Sequence, residues 1–140
     1  MANRNSCGVL LKQINDELEK NANNAMRTHD ITMAQCGLLL VLNDMPEQQL
    51  PLKELERQLH IAQSTAVGLV SRLEQKKLVE GFGSAEDKRI KIIRITQEGA
   101  ECCRQAQQHM TQAEEHILSG LTDTEKAIFL ALLKKVRDSL

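Results

Sequence analysis

The stretch IAQSTAVGLVSRLEQKKLVEGFGSAEDKRIKIIRIT, residues 61–96, decides how the rest of the 140-residue chain is read. It opens with a helical pattern, because Ala66, Leu69, Val70 and Leu73 recur at three- and four-residue spacing and gather on one face. The opposite face carries Gln63, Ser64, Thr65, Val67, Gly68, Ser71 and Arg72, small or polar groups with one guanidinium, a set suited to contact rather than burial. Two β-rich runs follow, residues 78–82 and 90–95, joined by GSAEDKR, which predicts a hairpin with a polar, charged tip.

Charge is concentrated in the same place. Residues 63–96 hold Arg72, Lys76, Lys77, Lys88, Arg89, Lys91 and Arg94 against Glu74, Glu80, Glu86 and Asp87, a net of +3, while the chain as a whole totals −1. A near-neutral protein with a focused basic segment calls for a polyanionic partner. A solvated charged face is the alternative reading of the same residues.

Working outward, residues 52–59 form a short helix with Leu52, Leu55 and Leu59 on one face, followed by the compact turn His60-Ile61-Ala62 with Ile61 as a core plug. Two helices joined this tightly make a helix-turn-helix, whose second helix commonly enters the major groove of DNA. Adding the hairpin completes a winged helix. Ser64 and Thr65, near the start of the second helix, can offer hydroxyls beside free backbone N–H groups to a phosphate oxygen; N-capping by Ser64 is the plainer role. With no Asn on this helix, Gln63 is the candidate for reading adenine and Arg72 for guanine or phosphate.

The flanks read as scaffold. Residues 7–26 carry Leu10, Leu11, Ile14, Leu18, Ala22 and Ala25 as an apolar stripe. Thr32-Met33-Ala34-Gln35 has the form of a capping box and starts a helix whose GLLLVL run, residues 37–42, is apolar on nearly every side, so it is expected to be central and buried. PEQQLP, residues 46–51, reads as the loop that ends it. A helix starting at Thr96-Gln97-Glu98-Gly99 and running to about Ser119 has only a thin apolar stripe of Ala100, Cys103, Met110, Ala113 and Ile117, which can bury little within one chain. Thr122-Asp123-Thr124-Glu125 is a second capping box, ahead of Ile128, Phe129, Leu132, Leu133 and Val136 at near-heptad spacing. Stripes of that length are uncommon on the surface of a monomer, so the first and the last two helices are expected to pack against a second copy.

Composition removes other classes. The chain is one domain's worth at 15.7 kDa, no apolar run approaches a membrane span, and its first residues do not form a signal peptide, which points to the cytoplasm. Aromatic residues make up 1% of the chain, too few for a base-stacking platform on single strands. Cys7, Cys36, Cys102 and Cys103 show no C-x-x-C spacing, and Cys102, Cys103, His109 and His116 on one helix match no standard tetrahedral set, so no metal and no cofactor are expected. No nucleophile-base pair, carboxylate pair or phosphate-binding glycine loop marks an enzyme.

The order helix, buried helix, helix-turn-helix, wing, long helix, terminal helix resembles the MarR family of bacterial winged-helix regulators. The segment DKRIKIIRITQEG, residues 87–99, is similar to that family's D-x-R signature followed by a strand and L-T-x-x-G, and STAVGLVSRLEQKKLV, residues 64–79, resembles its recognition helix. The resemblance implies a mainly α protein with a small β-hairpin wing, in which residues 32–96 form the winged helix-turn-helix and residues 1–31 and 97–140 the dimerisation helices of a single domain. It also implies a homodimer on a pseudo-palindromic operator in double-stranded DNA, repressing transcription until a small molecule or oxidant releases it. Arg89 matches the wing-tip arginine that enters the minor groove, Asp87 the acid that orients it, and Lys88 and Lys91 flank it as phosphate anchors. A plain turn aspartate is the other reading of Asp87. Lys77 stands where a glycine often follows the recognition helix, which calls for a left-handed lysine. Gly68 and Gly81 replace larger residues, which thins direct base reading and keeps open a winged-helix adaptor that binds protein alone. Cys7, near a helix start, is the one cysteine with a hint of the exposure and lowered pKa that oxidant sensing needs, a plain structural or exposed thiol being its simpler reading; Cys36 reads as core, and an effector pocket, if present, would lie between the dimerisation helices and the winged helix.

Overall fold

The computed structural model describes residues 4–140; residues 1–3 of the expected N-terminal dimerisation segment lie outside them. The elements run α1 (Cys7–Thr28), α2 (Met33–Asn43), a 3₁₀ turn (Pro46–Gln48), β1 (Gln49–Pro51), α3 (Leu52–Leu59), α4 (Gln63–Gln75), β2 (Val79–Gly83), β3 (Lys91–Ile95), α5 (Gln97–Ile117) and α6 (Asp123–Asp138). The expected winged helix flanked by terminal helices is what forms.

Local chemistry accounts for most boundaries. Both capping boxes close, since the Thr32 and Thr122 hydroxyls accept the amides of Gln35 and Glu125, and the Gln35 and Glu125 side chains accept in return from the capping residues' own N–H groups. The C-terminal ends are less obvious. α1, α3 and α4 all stop in Schellman-type turns whose left-handed position is not glycine but Asp30 (φ 54°), His60 (φ 53°) and Lys77 (φ 63°). At the end of α4, Lys77 N–H bonds Glu74 C=O at 2.9 Å and Leu78 N–H bonds Leu73 C=O at 2.9 Å. Leu78 is thereby consumed by the turn, and β2 begins one residue later than the hydrophobic pattern predicts.

The segment expected to be a plain loop holds a third strand. β1 pairs antiparallel with β3 in the order β1-β3-β2, with Leu50 opposite Ile93 and Pro51 opposite Ile92. β3 is therefore central, which is why Ile92 and Ile93 are both buried although they point to opposite faces. The tip closes tightly: a Cβ at Gly83 would lie 2.9 Å from Lys88 C=O.

Packing centres on α2, as its sequence requires. Leu38, Leu39 and Leu42 are fully buried with Leu55 of α3, Val70 and Leu73 of α4, Ile93 of β3 and Cys103 of α5. Ala25, Met26, Ile31, Cys36 and Ala106 make a second cluster where α1, α2 and α5 meet. α5 thus buries more than its thin stripe indicated, because the small Ala106 lets α1 approach. Its start is fixed by Thr96, whose hydroxyl accepts the Gly99 amide at 3.0 Å and donates to Lys77 C=O at 2.8 Å. A Cβ on Gly99 would stand 2.0 Å from Leu78 C=O, so the I-T-Q-E-G run joins α5 to the end of α4 at a separation only glycine allows. Ile61 is half-buried rather than a full core plug. α6 buries none of its side chains, and Leu10, Leu11, Ile14 and Leu18 of α1 are exposed beside it.

Candidate nucleic-acid interface

α4 turns its two faces as the spacing requires. Ala66, Val70 and Leu73 are buried and Leu69 half-buried, whereas Gln63, Ser64, Thr65, Val67, Gly68, Ser71 and Arg72 are all exposed. Capping differs from the plainer reading of Ser64. Ala62 is the cap residue and Ser64 sits inside the helix, so the first-turn amides have no side-chain acceptor. An uncapped helix N-terminus flanked by two hydroxyls is a ready site for an anionic oxygen.

The wing tip is held by one ion pair. Arg89 Nε lies 3.1 Å from Asp87 Oδ1, its outer guanidinium nitrogen 3.2 Å from Oδ2, and its backbone N–H donates to Oδ1 at 3.0 Å. The Arg89 side-chain hydrogen bond, then its amide, holds the Asp87 carboxyl below the usual carboxylate range. Arg89 is nonetheless 92% exposed at its side chain, so the pair aims the guanidinium without covering it. Lys88 is exposed beside it.

The other wing cations are engaged. Lys91 Nζ lies 3.1 Å from Glu74 Oε1, under the bare backbone of Gly81, and ties the wing to α4. Arg94 bonds Glu80 across the two strands at 2.7 Å and lies 4.9 Å over the Phe82 ring. The sequence casts Lys91 as a free phosphate anchor; here its ammonium is paired with Glu74. Lys53, absent from the sequence-based set, is exposed at the start of α3 and joins Gln63, Arg89 and Lys91 on the walls of a cleft of about 410 Å³ between wing and helix-turn-helix. Nothing in the local pattern around Lys53 marks it, since the cleft exists only once β1 has brought α3 beside β3.

The cysteines divide sharply. Cys36 and Cys103 are buried, Cys102 half-buried and Cys7 exposed as the first residue of α1. Burial raises the thiol pKa of all three inner cysteines, that of Cys103 to about 11. Among the described residues no cluster of three or more His, Cys, Asp or Glu is placed to hold a metal, and no helix is long and apolar enough to cross a membrane.

A winged helix with an exposed recognition helix and a cation-tipped wing defines a class of DNA-binding regulator, and comparison with known proteins narrows the class. The model of the MarR family matches residues 29–90. The multiple antibiotic resistance protein MarR of Escherichia coli is 28% identical over 134 residues, covering 92% of this chain and 89% of that protein. YwaE, an HTH-type transcriptional regulator of Bacillus subtilis, is 28% identical over 80 residues, 57% of this chain; that match spans about half of YwaE, 47% of its length. Two solved structures with nucleic acid share the fold: a mutant of E. coli MarR complexed with operator DNA (28% identity, TM-score 0.67, 92% and 91% of the two chains) and a mutant of S. aureus MepR bound to an oligodeoxyribonucleotide (25%, TM-score 0.80, 96% and 97%). These matches, the family model over the winged helix and the relatives over nearly the whole chain, support a MarR-family winged helix-turn-helix transcriptional regulator. Members of this family are DNA-binding regulators, not enzymes.

Proposed function

We propose that this chain acts in the cytoplasm as a homodimeric, sequence-specific repressor that binds a pseudo-palindromic operator through α4 and the wing and is released by a small-molecule or oxidant signal. The observation that carries the reading is the pairing of an uncapped N-terminal turn of α4, whose Gln63, Ser64 and Thr65 are exposed, with an Arg89 guanidinium aimed by Asp87. The first supplies donors and hydroxyls for the major groove and its phosphates; the second is the shape that a narrow minor groove attracts.

Dimerisation is supported by surface left uncovered at both chain ends. Leu11, Ile14 and Leu18 of α1 line an apolar cavity of about 230 Å³ with Ile117 of α5 and with Phe129 and Leu133 of α6, beside the bare stripe of α6. A two-fold partner would cover that surface and place two recognition helices on successive turns of one DNA face. Release by a signal has room at the junction of scaffold and winged helix, where a cleft of about 470 Å³ lies between Met26, Asp30, Thr32 and Lys76.

The test is a titration of wild type on a duplex selected by the protein from a random library, and on a scrambled duplex, at several salt concentrations. Alanine at Gln63 or Arg72 is expected to compress the ratio of specific to random binding, a bidentate base contact being worth roughly 1–3 kcal/mol. Alanine at Lys88 should lower both affinities alike and flatten the dependence of log K on log salt by about one unit for each phosphate that the lysine neutralises. Wild type with no salt-dependent affinity for any duplex would leave the protein-binding adaptor as the better reading.

A further inference from the structure

One side chain ties the C-terminal end of α4 to the helical scaffold. Lys76, the cap residue of α4, crosses to the turn between α1 and α2, where its Nζ donates to the main-chain oxygen of Asp30 and, at 3.2 Å, to Gln35 Oε1. Both acceptors are themselves immobilised. Asp30 is locked in the left-handed region by the turn that ends α1, its own N–H bonding Arg27 C=O and the Ile31 N–H bonding Met26 C=O. Gln35 is 3% exposed, and the same Oε1 accepts the Thr32 amide in the capping box of α2.

The electrostatics suit the arrangement. Asp30 follows the C-terminal end of α1, where unpaired carbonyls favour a cation. Lys91 and Arg94 are held by carboxylates, whereas the hydrogen bonds of Lys76 go to two neutral oxygens. The other ties at this corner, from Thr96 N–H to Leu78 C=O and from the Thr96 hydroxyl to Lys77 C=O, join α4 to the strand and helix that follow it. The Lys76 link alone among these reaches back to the α1–α2 turn.

We propose that Lys76 is a positioning residue for operator binding: bridging Asp30 and Gln35, its ammonium fixes the set of the recognition helix against α1 and α2, and hence the spacing of the two recognition helices in the dimer, without touching DNA. The inference rests on the dimeric DNA-binding reading above. Two half-sites at fixed separation demand two helices at fixed separation. Contacts to phosphates on random sequence tolerate a looser pair, so losing the strut removes specificity first.

Lys76→Met keeps the aliphatic stem and removes the donors; Lys76→Arg keeps donors within reach of the same oxygens. Both are compared with wild type below their thermal transitions, on the library-selected duplex and its scrambled counterpart, over a range of salt. The expected result for Lys76→Met is a loss of about tenfold on the selected duplex, the scale of one charge-assisted hydrogen bond, with random binding and the slope of log K against log salt unchanged. Lys76→Arg should restore most of the loss. Equal losses on both duplexes, with the slope reduced by about one unit per subunit, would make Lys76 a phosphate contact and overturn the proposal. So would an unchanged affinity for the selected duplex, or a loss that Lys76→Arg leaves untouched. Wild type that binds no duplex at all would overturn the DNA-binding reading itself, and is recognised before any variant is measured.

Discussion

At the scale of single residues, orientation matters more than charge count. Arg89 is almost wholly exposed, yet two hydrogen bonds from its guanidinium to Asp87, with a third from its backbone N–H, orient the side chain and lessen the freedom it would lose on entering a groove. Arg89→Ala is expected to cost roughly 1–3 kcal/mol of operator affinity, and Asp87→Asn less, because it loosens the guanidinium without deleting it. The Asp87 carboxyl is depressed in the folded state, so its contribution to wing order is fully present above the ordinary carboxylate pKa and fades only as pH falls through the lowered value. Affinity titrations from about pH 8 to about pH 5 should therefore show no transition owed to Asp87; one that Asp87→Asn abolishes would contradict the assignment. Lys77 presents the opposite case, a side chain in a conformation that costs about 1–2 kcal/mol for an L-residue. Lys77→Gly should raise stability to urea by less than about 1 kcal/mol, the relief of strain being partly offset by the freer unfolded chain. A net destabilisation would mean that the lysine side chain contributes more than its backbone costs.

At the scale of elements, the wing is tied to α4 by a side-chain ion pair. Lys91 and Glu74 clamp β3 to α4, and the absent side chain of Gly81 makes room for the Lys91 stem. The bond is half-exposed and contributes little to stability, but it withholds a cation from the surface proposed to face DNA. Glu74→Gln should free Lys91, removing one negative charge from the surface, and so increase affinity for specific and random duplexes together. The salt dependence should steepen by up to about one unit per subunit. A fall in affinity would instead show that the clamp's geometry outweighs the freed charge.

For the whole molecule, the unfinished surface lies at the two chain ends. Leu132 is 55% and Val136 58% exposed, and neither belongs to the buried core of the chain. The double change Leu132→Lys, Val136→Lys should leave the helical content and the winged helix intact while converting a ~31 kDa dimer, twice the mass of the chain, to a monomer in light scattering at micromolar concentration. Operator affinity should collapse with it while weak random binding persists, since only the dimer spans two half-sites. A wild-type protein that scatters as a 15.7 kDa monomer under those conditions would rule the dimer out.

The sequence by itself determined whatever depends on near neighbours. Apolar spacing set which faces of α2, α3 and α4 are buried, Thr32-Gln35 and Thr122-Glu125 set two helix starts, and DKR placed the arginine and its aspartate two residues apart, close enough that only a turn is needed to pair them. What depends on distant parts meeting was decided by the tertiary structure. β1 is three residues with a proline, too short to carry a pattern, and becomes a strand because β3 offers an edge. The end of α1 was hidden because Asp30 takes the left-handed position while no described glycine has positive φ, so the usual sequence mark of a stop is missing; the close of α3 at Leu59 and the left-handed Lys77 after α4 were legible and hold. Lys76 and Lys91 look alike in the sequence, two lysines in one basic segment. One bonds an oxygen 46 residues away and the other a carboxylate 17 residues away, because a long flexible cation takes whichever acceptor the packing of helices and strands brings within reach.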